Sequence, residues 1–98
     1  MSRFFDTIPF IDAQEKHLQH PDTFEILCEE ELKRIKPGDG VKVCDGKERF
    51  WTVVKTSDPE GTRDITAQID TILLRGQEYN FGDTVKFNLR HVYDAIIN

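Results

Sequence analysis

The chain contains no apolar run approaching the roughly 18 residues of a membrane-spanning helix. Its opening, Met1-Ser2-Arg3-Phe4-Phe5-Asp6, lacks the apolar stretch of a secretory signal. Cysteine is sparse: Cys28 and Cys44 stand alone, without CxxC spacing, which argues against a disulfide-stapled secreted scaffold and predicts reduced thiols in a cytoplasmic setting. Serine is reduced to Ser2 and Ser57, neither in an elbow motif nor beside a base in sequence, so a serine nucleophile has no support. Neither a P-loop nor a GxGxxG cradle occurs. Positive charge is also in deficit. Thirteen basic residues against eighteen acidic ones give a formal charge of −5, the wrong sign for a protein that coats long nucleic acid.

What is present is enough for one small domain, residues 1–98, with 38% hydrophobic residues and one compact core. The acidity is uneven. Residues 1–40 hold five Lys/Arg and nine Asp/Glu, a balance of −4, whereas residues 41–98 hold eight and nine, a balance of −1. The near-neutral part leaves room for a local cationic site that takes a small anion. The acidic stretch 22–31, with Glu29-Glu30-Glu31, reads as a solvated helix face or as a docking patch for a basic partner.

The spacing predicts a helical N-terminal segment over 1–36 and a β-rich body over 37–98. One helix is expected from Thr7 to Gln19, with Pro9 in its first turn and Pro21 beyond its end. A second is expected over Glu29 to Lys36, where Cys28, Leu32 and Ile35 share a face and Pro37-Gly38 stops the helix. Between them, His20 to Leu27 reads as an extended link. Alternation then marks strands at Val41-Lys42-Val43, Arg49 to Thr56, Ile65 to Asp70 and Val85 to Arg90, with Asp45-Gly46 as a hairpin signal. The switch from alternation to Ile72-Leu73-Leu74 predicts a bulge or bend, and His91 to Ile97 a closing helical turn.

Gly38-Asp39-Gly40-Val41-Lys42-Val43 and Gly82-Asp83-Thr84-Val85-Lys86-Phe87 share the form GDxVK plus an apolar residue, which predicts one turn chemistry used twice. Short strands after a helical front predict an α+β fold: N-terminal short helices followed by a small, strongly bent antiparallel β-barrel of SH3-like type, since closure protects strand edges.

The run Pro37-Gly38-Asp39, Val41-Lys42-Val43, Glu48-Arg49-Phe50-Trp51, Ile69-Asp70, Gly82-Asp83-Thr84-Val85 and Val92-Tyr93-Asp94 resembles the YegJ-like domain-of-unknown-function family of small bacterial and phage proteins, over roughly residues 36–94. Asp70-Thr71 stands where that family often has Asn-Pro, so a role for that Asn does not carry over. The resemblance implies a small barrel and no assigned activity. Its occurrence in phages implies an accessory or counter-defence protein acting in the host cytoplasm.

Cys44 with His91 forms a nucleophile–base pair only on paper; a small residue ending a strand is the simpler reading. His17 and His20 have the spacing to share a metal with Asp22 or Glu25, but solvated helix histidines fit as well, and no metal or cofactor is expected. Glu48 and Asp70 are the carboxylates that a small hydrolase would use, and cross-strand ion pairs are the better account of both.

With Val41/Val43, Ile65/Ala67/Ile69 and Val85/Phe87/Leu89 inward, Lys42, Thr66, Gln68, Asp70, Lys86, Asn88 and Arg90 face outward. In Arg49 to Lys55 both faces are apolar, so Phe50 or Trp51 beside Arg49 and Lys86 would add a stacking surface with cationic neighbours, with core packing as the plain reading of Trp51. The expected site is therefore Lys42, Glu48, Arg49, Trp51, Gln68, Asp70, Lys86, Asn88 and Arg90. The expected function is non-enzymatic binding or sequestration of a small anionic, nucleotide-like ligand, in a homo-oligomer because so small a chain has little room for a deep pocket. The alternative is a module that binds or inhibits a host protein through the acidic stretch and exposed aromatics.

Overall fold

A computed structural model describes residues 3–19 and 27–97. Six strands form one sheet: β1 (Phe4–Phe5), β2 (Gly40–Cys44), β3 (Arg49–Ser57), β4 (Asp64–Ile69), β5 (Thr84–Asn88) and β6 (Asp94–Ile96). Their order across the sheet is β1-β5-β4-β3-β2-β6. Helices are few and short: α1 (Ala13–Gln19), α2 (Glu29–Lys33) and a 3₁₀ turn, Leu89–His91.

The sheet is open and mixed, so the closed antiparallel barrel of SH3-like type is corrected. Closure needs the two outermost strands to pair. Here β1 and β6 are those strands, at opposite ends of the order, with two and three residues each. β1 also runs parallel to β5, Phe4 opposite Thr84 and Phe5 opposite Val85, which an all-antiparallel barrel does not allow. The N-terminal segment thus supplies a strand as well as helices. Its first helix begins at Ala13, not Thr7, because Asp12 is the residue whose carboxylate accepts the Glu15 N–H (3.0 Å), the bond expected of an N-cap. The second stops at Lys33, three residues short of the expected end. At the C-terminus, Asp94–Ile96 pairs with β2 where a helical turn was expected.

Alternation sorts the faces as the sequence predicts. Val41, Val43, Ile65, Ala67, Ile69, Val85, Phe87 and Leu89 are all buried, and Phe50 and Val54 join them from β3. Leu32, Ile35, Phe10, Leu73 and Val92 cover this inner face. Phe10 anchors the cover, its ring 5.6 Å from Phe87 and 6.2 Å from Phe50. Thr52 is the buried polar residue of β3, and its hydroxyl donates to the Val41 carbonyl at 2.9 Å. The register irregularity lies between Val54 and Thr56 rather than after Asp70.

The repeated GDxVK segment builds the same turn twice. Gly38 and Gly82 have φ of 95° and 90°, the left-handed region that glycine enters without steric cost. The Gly38 N–H donates to Val54 O and the Val54 N–H to Asp39 O, both at 2.9 Å. In the other turn the Gly82 N–H donates to Ile69 O (3.0 Å) and the Ile69 N–H to Asp83 O (2.9 Å). Each Asp carboxylate also accepts the backbone N–H three residues earlier, from Lys36 and from Asn80, at 3.0 Å. One turn launches β2 alongside β3, the other β5 alongside β4. The central β3–β4 pair is therefore flanked by equivalent starts.

Candidate functional site

The structure distributes the nine expected residues over three places. Lys42, Arg49, Trp51, Gln68 and Lys86 lie on the sheet face opposite the core, by strand alternation. Lys42 is directly opposite Trp51 in the β2–β3 register, its Nζ 5.8 Å from the indole centroid. The Arg49 guanidinium sits 4.8 Å over the Tyr93 ring instead, and Lys86 approaches Asp64 at 3.7 Å. Gln68 donates to the Gly82 carbonyl at 3.0 Å. Arg49, Trp51 and Lys86 thus have separate partners and are not drawn into one grip.

Glu48 and Asp70 belong to loop bracing. Glu48 Oε1 accepts the Leu74 N–H (3.0 Å) and the Gln77 amide (2.8 Å). Its neighbour Asp45 accepts the Tyr79 hydroxyl at 2.8 Å, Gln77 at 3.0 Å, and the Lys47 and Glu48 N–H groups at 2.9 Å. Burial alone would raise the Asp45 carboxyl, but these hydrogen bonds together outweigh it and hold it below the ordinary range. Burial and the same contact push the Tyr79 hydroxyl up. The cluster ties the 73–80 loop to the β2–β3 hairpin. Asp70 is exposed and gives its N–H to the Trp51 carbonyl (2.9 Å).

Asn88 and Arg90 fall in a cleft of about 460 Å³, together with Gln14, Arg63 and His91, three residues outside the expected nine. The cleft lies where α1 meets the 3₁₀ turn and the 58–64 loop. Two pieces of local chemistry shape it. Asn88 caps the 3₁₀ turn, its Oδ1 accepting the Arg90 N–H at 3.3 Å, while His91 Nδ1 accepts the Asn88 N–H at 3.0 Å. This is a reciprocal capping box with histidine in the place usual for Glu or Gln. Because Nδ1 is the acceptor, the neutral ring carries its proton on Nε2. Burial pushes the His91 pKa down and favours that neutral form, with Asp12 acting in the opposite sense.

The second piece is the 58–64 loop. Asp58 accepts the N–H groups of Gly61 (3.1 Å) and Thr62 (3.0 Å), which curls the chain so that Arg63 takes φ 65°. Non-glycine residues enter that region at a cost of about 1–2 kcal/mol. Here the conformation is held from both sides, since the Arg63 N–H donates to Asp58 O (2.8 Å) and its carbonyl accepts the Leu89 N–H (2.9 Å). Asn88 Nδ2 adds bonds to Thr62 O and Asp64 Oδ1, both 3.2 Å. Gly61 is a legible signal for the curl, but that Arg63 rather than glycine takes the left-handed position has no signature in sequence.

Both guanidiniums face carboxylates. Arg63 makes a two-pronged contact with Glu29, which it holds below the ordinary carboxylate range, with Nη2 to Oε2 at 3.1 Å. Arg90 approaches Asp12 through Nε at 3.5 Å, and among the described residues its guanidinium makes no hydrogen bond. The lining combines two permanent cations, an imidazole and two amides. That set suits an oxyanion with further polar groups.

Among the described residues no group of three or more His, Cys, Asp or Glu is placed to hold a metal ion. His20, Asp22 and Glu25 lie outside the described residues, as do residues 22–26 of the acidic 22–31 stretch. Cys44 and His91 do not pair: Cys44 Sγ accepts the Gly46 N–H at 3.4 Å while His91 Nδ1 serves the cap. No helix of the described residues is long and apolar enough to cross a membrane. Compared with family models, curated proteins and solved structures, the chain matches none, and nothing in those comparisons bears on the YegJ-like resemblance.

Proposed function

We propose that this chain is a non-enzymatic module that binds a small anionic, nucleotide-like ligand in the cleft between α1, the 58–64 loop and the 3₁₀ turn. The observation that supports this reading is the convergence of Arg63, Arg90, His91, Asn88 and Gln14 on one opening. Its size falls within the range of about 300–1,000 Å³ usual for small-molecule sites. Among the described residues the lining offers donors and charge but no hydroxyl, thiol or lysine nucleophile, which suits holding a ligand rather than transforming it. Free Cys28 and Cys44 thiols are consistent with a reducing cytoplasm. Sequestering a signalling nucleotide is the accessory, phage-type role in which such a module would serve. Isothermal titration against a panel of nucleotides, with thermal shift in parallel, tests it. Saturable binding that Arg90→Gln weakens about tenfold or more supports the reading, and no heat or shift with any member overturns it.

The solvent-facing side of the sheet favours a second reading, a protein-interaction surface. Trp51 stands there with Lys42 against it, and the exposed Ile96 lies opposite Gly40 on the adjoining strands. A homo-oligomer built on this face would shift the Trp51 emission to the blue with rising protein concentration. Emission and sedimentation that are both independent of concentration would exclude self-association there.

A further inference from the structure

Resting on the cleft reading above, we infer that the ligand's anionic group is a phosphoryl group that takes the fork of Arg63 in place of Glu29, with Arg90 receiving the additional charge. Glu29 occupies the two η nitrogens of Arg63 in the side-by-side geometry that guanidinium uses for carboxylate and phosphate alike. The internal carboxylate therefore marks the chemistry this fork accepts. It also sets the condition for displacement. Glu29 is tethered in the same chain, so a free competitor meets it at an effective concentration of about millimolar order. Exchanging one carboxylate for another brings no electrostatic gain. A phosphate monoester carries about −1.5 to −2 at neutral pH and three acceptor oxygens, so it brings more charge than it displaces.

The structure has a receiver for that surplus. Arg90 lines the same cleft and pairs with Asp12 through Nε at 3.5 Å without a hydrogen bond, so among the described residues its two η nitrogens remain open to a ligand beside that ion pair. Glu29 is itself about half exposed, and pairs of that kind yield readily to competitors. The carboxylate would return to water on exchange rather than be left buried. Arg63 meanwhile needs no rearrangement, because its backbone is fixed by the Asp58 and Leu89 bonds. The ligand class is thus set by Arg63 and Arg90 together, and Glu29 acts as the discriminator against monocarboxylates.

Isothermal titration of the full chain tests this with inorganic phosphate, adenosine monophosphate, adenosine and acetate, on the unsubstituted protein and on Glu29→Gln, Arg63→Lys and Arg90→Gln. The expected result is binding of phosphate and of the monophosphate but not of adenosine or acetate. Glu29→Gln is expected to tighten it about twofold to fivefold, the scale of one exposed ion pair. Arg63→Lys keeps the charge but loses the fork, and is expected to weaken it about tenfold or more. On saturation, the Glu29 carboxyl followed by NMR is expected to rise toward the ordinary value of about 4.3.

Binding that needs Arg90 but is unchanged by Glu29→Gln, with an unmoved Glu29 carboxyl, overturns the exchange and leaves the cleft reading standing. Acetate binding as tightly as phosphate overturns the phosphoryl assignment. Adenosine binding alone does the same, and binding of the monophosphate without inorganic phosphate shows that the ester's other groups are required. No binding of any probe to any variant overturns the cleft reading itself. Thermal melts of each variant separate lost binding from lost folding.

Discussion

Asp39 and Asp83 perform one task on opposite flanks of the central β3–β4 pair: each closes a Gly-Asp turn by accepting the N–H three residues before it and giving its own carbonyl to the neighbouring strand. They differ in burial and in their second partner. The Asp39 side chain is 1% exposed and also accepts from Lys36 Nζ, while that of Asp83 is 13% exposed and accepts the Arg3 N–H of the N-terminal strand.

That difference sets unequal costs for the same substitution. Asp39→Ala is expected to destabilise by about 2–3 kcal/mol, as it leaves the donors around a fully buried carboxylate without their acceptor. Asp83→Ala is expected to cost about 1–2 kcal/mol, with the loss concentrated at the β1 edge. Urea unfolding measures both, and amide exchange at residues 4–5 separates them: protection there should fall in the Asp83 variant alone.

Stability should decline as pH falls from about 7 to 5. His91 has its folded pKa pushed down by burial, so the unfolded chain, with its ordinary value of about 6.5, binds the extra proton first. The stability that neutral His91 contributes is present above that value and is lost as pH falls toward the folded one. Protonation would also remove the Nδ1 acceptor for the Asn88 N–H. His91→Gln retains a capping-box acceptor without a titrating group, so thermal melts of that variant should be flatter between pH 7 and 5.

Gly61→Ala addresses the loop that presents Arg63. An added Cβ would collide with the Asp58 carboxylate oxygens, so Asp58 must swing away from the amides it holds. Phosphate affinity should drop about tenfold while global stability changes by about 1 kcal/mol or less. A stability loss with unchanged affinity would show that the curl does not serve the cleft.

Cleft and sheet face are separable by substitution. Arg90→Gln should reduce phosphate binding about tenfold or more, the scale of a charge-assisted contact. Lys42→Ala and Trp51→Leu should leave it within about twofold, since neither residue lines the cleft. The reverse pattern would move the site to the sheet face.

How much of this was legible in the sequence follows from what each signal encodes. Alternation encodes which face is dry, and the inward sets on β2, β4 and β5 were read correctly. It does not encode whether a sheet closes, and Phe4–Phe5 is too short to alternate, so the parallel edge strand that keeps the sheet open left no pattern. The Gly-Asp repeat was legible because its turn needs a particular residue at a particular φ. Asn88 and Arg90 are legible as outward residues, but Gln14 and Arg63 come from α1 and a loop far apart in sequence, and they meet because the 3₁₀ turn packs against α1 on one side and bonds to the 58–64 loop on the other.

The pairing of Phe4–Phe5 with Thr84–Val85 has a consequence for the order of assembly. Contacts between sequence-distant segments must cover the entropy of closing the intervening chain before they stabilise anything. The β2–β3 and β3–β4 pairs are local and can form as the chain emerges from the ribosome. Residues 4–5 must wait until residues 83–85 have been made, because both their strand partner and the Asp83 carboxylate that receives the Arg3 amide lie there. Within this sheet, the strand that precedes the others in sequence is thus among the last to be fixed.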